Sequence, residues 1–151
     1  MDYGVMPQPG QKYVIAAAAS PNMVMDSSGN PMERRKCILY ERNYGENQKW
    51  VFVPGPNSSY FILNCQDRGT LEIPEQSQGQ EGTQLHVAQP NNTVNEAWYI
   101  RPSGAGVSIH AASNQNLAMN VGQGLLIDEA WIIIWPFSGA ENEIWRLIPT
   151  D

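Results

Sequence analysis

The residues best suited to nucleophilic or metal chemistry in this chain are His86, His110, Cys37 and Cys65. Neither histidine has a second ligand at the short spacings that metal sites use. Both cysteines lie in apolar, strand-like runs with no histidine nearby to generate a thiolate, so a small buried apolar role suits them better than attack on a substrate. Whether they pair is left open by their spacing. No Gly-rich phosphate loop, serine elbow or zinc-protease signature occurs. The chain is therefore read as a non-enzyme with no metal and no cofactor.

What does recur is an amide–aromatic motif. Asn47-Gln48-Lys49-Trp50, Asn95-Glu96-Ala97-Trp98 and Asn142-Glu143-Ile144-Trp145 share the pattern Asn-[Gln/Glu]-x-Trp, with the tryptophans 48 and 47 residues apart. Tyr13-Val14-Ile15, Tyr60-Phe61-Ile62 and Val107-Ser108-Ile109 open the same units at intervals of 47 and 47. Two independent markers with one period identify an internal threefold repeat. Trp50, Trp98 and Trp145 keep that period and are assigned to the core, whereas Gln48, Glu96 and Glu143 are expected to fix the adjoining turn.

Strands must position these residues. Short β-rich runs such as Cys37-Ile38-Leu39-Tyr40 alternate with Gly, Pro, Asn and Ser clusters, and no window keeps apolar residues at helical spacing. The pattern predicts four strands per unit: 12–18, 22–26, 36–41 and 48–53; then 60–65, 69–73, 84–88 and 96–100; then 106–111, 115–120, 130–135 and 143–148. One all-β domain over residues 1–151 follows, with repeats at about 11–55, 59–103 and 106–149. Each unit is too small to cover its own apolar face, so the three must share a core.

Composition supports this and removes several functions. A length of 151 residues with 42% apolar and 16% charged side chains is one ordinary globular domain. A net charge of −6 disfavours nucleic acid and anionic lipid as partners, and no apolar run is long enough to span a bilayer. With no convincing signal peptide, a cytoplasmic location is expected, with secretion left open.

The Asn-Gln-x-Trp ending, the period and an acidic residue in the second strand together resemble the ricin B-chain, or R-type, lectin family over about residues 11–149. The small cytoplasmic fungal members look most similar. The resemblance implies a β-trefoil, a six-stranded barrel capped by three hairpins. It also implies a shallow galactose-type site in each repeat: an acid accepts two adjacent sugar hydroxyls, a third-strand aromatic stacks on the ring, and the motif Asn binds a shared hydroxyl. A pyranose, polar at its rim and C–H-lined on one face, suits such a platform with a few fixed polar groups.

The first repeat carries the implied set: Asp26, then Tyr40 after 14 residues and Asn47 after 7 more, beside Gln48. Ile38 shares the strand face of Tyr40 and would floor the pocket; Asn43 stands where related sites place a further polar contact. The competing reading is that Asp26 only starts the turn Asp26-Ser27-Ser28-Gly29. In the second repeat Glu72 replaces Asp, His86 takes the aromatic position, Gln84 adds a polar group and Asn95 follows His86 by 9 residues; this set reads as a decayed site kept for its fold, with a weaker site as the alternative. The third repeat has Asn120, Trp135 and Asn142, at spacings of 15 and 7. Trp135 is a broad platform, but Asn120 lacks the charge that strengthens the key hydrogen bonds. Trp131, Ile133 and Trp135 alternate along one strand, so one tryptophan could equally pack on a loop.

The expected function is recognition of terminal galactose or N-acetylgalactosamine on glycans, glycoproteins or glycolipids through the first repeat, with a homodimer as one route to avidity. The rival is a β-trefoil protease inhibitor using loops 76–82 or 54–57. A third reading is a scaffold whose sugar sites have all decayed.

Overall fold

The computed structural model describes residues 6–28 and 35–151, so Gly29 of the turn proposed above lies outside the described residues. In chain order the strands are β1 (Lys12–Ala17), β2 (Ser20–Ser27), β3 (Arg35–Glu41), β4 (Trp50–Pro54), β5 (Tyr60–Asn64), β6 (Thr70–Glu72), β7 (His86–Ala88), β8 (Ala97–Ser103), β9 (Gly106–Ala111), β10 (Leu117–Val121), β11 (Ile132–Pro136) and β12 (Trp145–Thr150). Every expected strand is present within a few residues of its predicted bounds. The fourth strand of each repeat starts later than predicted. Glu46–Gln48, Val94–Glu96 and Glu141–Glu143 form 3-10 turns, which move the strand onto or next to the tryptophan.

Antiparallel pairing runs β1–β4, β4–β5, β5–β8, β8–β9, β9–β12 and β12–β1, which closes a six-stranded barrel. The hairpins β2–β3, β6–β7 and β10–β11 cap it. Their third strands meet in a cyclic pattern: Lys36 pairs with His86, Gln84 with Ile133, and Trp131 with Ile38. Each repeat is therefore bridged through its backbone to the next. The fold is an all-β trefoil.

The core explains the markers. Tyr13, Tyr60 and Val107 stand opposite Trp50, Trp98 and Trp145 in the barrel. All three tryptophans are fully buried, and each indole N–H reaches the backbone carbonyl of its own second strand: Trp50 to Met25 O at 3.2 Å, Trp98 to Leu71 O at 2.9 Å and Trp145 to Met119 O at 3.2 Å. Burial of a tryptophan leaves one donor to satisfy, and a carbonyl of the hairpin satisfies it. The same bond ties each barrel strand to its cap.

Close packing excludes a side chain where two barrel strands cross. A Cβ on Gly106 would stand 2.1 Å from Trp145 O, where β9 crosses β12. Gly106→Ala should therefore force the two strands apart and lower stability by about 1–3 kcal/mol, read as a drop in the urea midpoint at unchanged slope.

Candidate functional site

The three cap hairpins present the same frame. Paired residues of an antiparallel ladder project to the same face, and the register sets Asp26 opposite Ile38 and Val24 opposite Tyr40. In the third repeat it sets Asn120 opposite Ile133 and Ala118 opposite Trp135. The acid or amide of the second strand thus shares an outward face with the aromatic, while Met25, Cys37 and Leu39 on the other face are buried in the core.

In the first repeat the Asp26 carboxylate is 4% exposed and held at both oxygens. Asn47 Nδ2 donates to Oδ1 at 3.0 Å, and Gln48 Nε2 donates to Oδ2 at 2.8 Å. Asn47 also donates to Ser27 O, and Gln48 to Glu41 O. Each carboxylate oxygen has two acceptor sites, so these amides orient Asp26 without exhausting it. Tyr40 and Ile38 lie half-buried beside it on the same face. Burial raises the Asp26 pKa above the usual aspartate range; the Gln48 and Asn47 hydrogen bonds pull it down, and nearby Asp128 adds to the rise. Asn43 shapes the following loop, its Oδ1 accepting from Gly45 N at 2.8 Å.

Gln48 is buried and also accepts from Asn43 N at 2.9 Å. Glu96 accepts from Asn91 N and Asn92 N, and Glu143 from Ser138 N and Gly139 N, at 2.7–3.2 Å. The Gln/Glu position of the motif is a clamp on the loop that follows the third strand, as expected for it. In the first repeat it also braces the acid.

The second repeat corrects the reading of its sequence. His86 is opposite Glu72, at the register of Ile38 and Ile133, and Ala88 occupies the position of Tyr40 and Trp135. From acid to opposite residue the count is 12 in the first repeat, 14 in the second and 13 in the third (26 to 38, 72 to 86, 120 to 133). A fixed spacing of 14 to the platform therefore lands one outward position short. His86 Nε2 donates to Glu72 Oε1 at 2.7 Å and Asn91 Nδ2 donates to Glu72 Oε2 at 3.2 Å. Both His86 and Glu72 are buried. Asn91, not Asn95, contacts the acid; it stands five residues before Glu96 as Asn43 stands before Gln48, a spacing visible in the sequence. Gln84 Nε2 donates to Cys37 O at 3.2 Å and belongs to the closure of the cap. This corner is occupied by its own side chains, and Ala88 rather than an aromatic residue fills its outward platform position.

The third repeat is open. A cavity of about 770 Å³ is lined by Asn120, Ile133, Trp135 and Asn142 together with Trp131 and the loop from Gly122 to Ala130. Trp135 is 46% exposed and Trp131 54%. Asn142 donates through Nδ2 to Asn120 Oδ1, and Asn120 Nδ2 donates to Glu143 Oε1 at 3.1 Å. The first repeat pairs Asp26 with Gln48; the third pairs Asn120 with Glu143. Acid and amide have changed places, so the carboxyl group sits on the motif residue instead of on the strand.

Elsewhere, Cys37 and Cys65 are free, and burial pushes the Cys37 thiol far above its usual range. Ser108 Oγ and His110 Nε2 lie 2.7 Å apart, with His110 Nδ1 donating to Gln115 O at 2.9 Å. Both side chains are buried, which denies a substrate access to the hydroxyl. Among the described residues no group of three or more His, Cys, Asp or Glu could hold a metal ion, and no helix is long and apolar enough to cross a membrane.

Residues 46–135 match the family described as a ricin-type beta-trefoil lectin domain-like domain. The chain belongs to that family. No curated protein matches this ricin-type domain. Solved structures share its fold at low identity. A ricin B-like lectin of Macrolepiota procera, solved in complex with lactose, is 20% identical over 95% of this chain and 99% of that one, with a TM-score of 0.77. The C-terminal half of an earthworm R-type lectin, in complex with GalNAc, is 17% identical over 93% and 99%, with a TM-score of 0.72. An exo-beta-1,3-galactanase from Clostridium thermocellum is 20% identical over 96% of this chain at a TM-score of 0.84, but the match spans only 31% of that longer enzyme.

Proposed function

We propose that this ricin-type domain is a carbohydrate-binding lectin with no catalysis of its own, selective for terminal galactose or N-acetylgalactosamine on glycans. The observation that carries the reading is the first-repeat corner: a buried carboxylate, Asp26, oriented by the Asn47 and Gln48 amides beside the half-buried ring of Tyr40. Asp26 would accept two neighbouring sugar hydroxyls, Asn47 would bind one of them, and Tyr40 with Ile38 would carry the C–H face. The third repeat, with its exposed Trp135, is a second site of different chemistry. The lactose and GalNAc bound by the two lectin neighbours fit the same sugar class.

A site this shallow should bind one hexose with a Kd of roughly 0.1–1 mM. Strength on a cell surface or glycoprotein would then come from two working repeats or from a homodimer, through effective concentration. Titration with lactose and N-acetylgalactosamine, followed by intrinsic fluorescence, tests the assignment. Tyr40→Ala should weaken first-repeat binding at least tenfold and still unfold cooperatively near the parental temperature. Sugars that leave the fluorescence of the parent unmoved would refute the assignment.

Acid should switch this site off early. Ionised Asp26 is the sugar's acceptor, and its raised pKa means that protonation begins at a higher pH than for an ordinary aspartate. Galactoside affinity should fall as pH drops through that value. The contribution of Asp26 to folding runs the other way: a raised folded-state pKa means the native state binds the proton more tightly, so acidification through it favours the fold. Loss of binding with the fold intact, measured by titration and circular dichroism across the same pH series, is the expected result.

A further inference from the structure

The third-repeat cavity is larger than the sugar reading requires. One hexose has roughly a dozen heavy atoms, whereas cavities of several hundred Å³ hold ligands of drug size; this one measures about 770 Å³. Its shape follows from strand geometry. Trp131, Ile133 and Trp135 alternate outward with Ile132 and Ile134 buried beneath them, so the backbone positions of the two exposed tryptophans stand roughly 13 Å apart along the strand, at about 3.3 Å per residue. A single pyranose, about 5 Å across, stacked on Trp135 leaves most of that stretch of strand uncovered.

Two further observations mark Trp131 as part of a built surface. It is fixed by its bridge to Ile38 of the first repeat, so the backbone beneath it belongs to the cap closure and not to a loose loop. Gly122 also lies against it: a Cβ there would come within 3.2 Å of Trp131 O and 3.8 Å of the Ile133 side chain. The missing side chain keeps the floor between the two indoles open. Gln123 and Glu129 add exposed polar groups to the same lining. A row of apolar platforms flanked by hydrogen-bonding side chains is what a chain of linked sugars presents a match for, one C–H face after another.

We infer that the third repeat binds an oligosaccharide of at least two linked sugars, the terminal residue on Trp135 with Asn120 and Asn142 and the next along Ile133 towards Trp131. Trp131 is the residue that selects length. This inference rests on the carbohydrate-binding reading and specifies its ligand.

The test uses the Tyr40→Ala protein, in which first-repeat binding is weakened at least tenfold, and a galactose monomer, dimer and trimer series. Affinity should rise at least tenfold from monomer to the longer members. Adding Trp131→Ala should bring that ratio down to about one, whereas Trp135→Ala should abolish binding of every member; thermal unfolding near the parental midpoint verifies each variant's fold. A ratio near one before Trp131 is changed, or one that survives Trp131→Ala, overturns this inference alone. A parent protein that binds no member of the series overturns it together with the carbohydrate reading.

Discussion

Trp98→Ala is expected to lose about 3–5 kcal/mol of stability, enough to unfold much of the population of a domain with ordinary reserves. The indole is fully buried, and its N–H is the bond that joins barrel strand β8 to the cap strand β6 through Leu71 O at 2.9 Å. Truncation leaves both a void and an unpartnered carbonyl, and the two costs add. Trp50→Ala and Trp145→Ala should behave alike, because their indoles do the same in the other repeats. Urea denaturation measures the effect. Substitution of the exposed Trp135 should leave the midpoint within about 0.5 kcal/mol of the parent, so the contrast separates the buried tryptophans that hold the trefoil from an exposed one proposed to face ligand.

The second large effect comes from the exchange of acid and amide between repeats. Asn120→Asp would place a carboxylate beside Glu143 and remove the Asn120 N–H that now donates to it at 3.1 Å. Two carboxylates at one buried position cannot both stay ionised cheaply, and a loss of about 1–3 kcal/mol is expected. Adding Glu143→Gln should restore most of it, because the aspartate and glutamine so introduced reproduce the pairing of Asp26 with Gln48. In the double variant the third repeat gains the charged acceptor it lacks, and galactoside affinity there should rise several-fold. Urea midpoints of the single and double variants measure the stability change. A double variant less stable than Asn120→Asp alone would show that the two frames are not equivalent.

The barrel was readable from sequence because its markers are local and periodic: Tyr13, Tyr60 and Val107 really do face Trp50, Trp98 and Trp145. The outward aromatic position was legible in the first and third repeats, where Tyr40 and Trp135 follow Asp26 and Asn120 by 14 and 15 residues, but not in the second. Side chains alternate faces every residue, so the longer connection between Glu72 and β7 was enough to put His86 opposite the acid and Ala88 on the platform. The state of each corner depends on contacts that no local window contains. His86 closes the second corner by meeting Glu72, and Trp131 lies beside the third cavity while its backbone pairs with Ile38, 93 residues earlier in the chain (131 and 38). The acid–amide exchange was present as residue types, Asp26 with Gln48 and Asn120 with Glu143. Its meaning appeared only when the register brought each pair within hydrogen-bonding distance.

The most direct test is a crystal structure of the protein soaked with a galactoside. It should show a hexose stacked on Tyr40 with two adjacent hydroxyls on Asp26, and a second molecule against Trp135. An empty Asp26 corner at saturating sugar, with the Tyr40 ring folded over the carboxylate, would contradict the account.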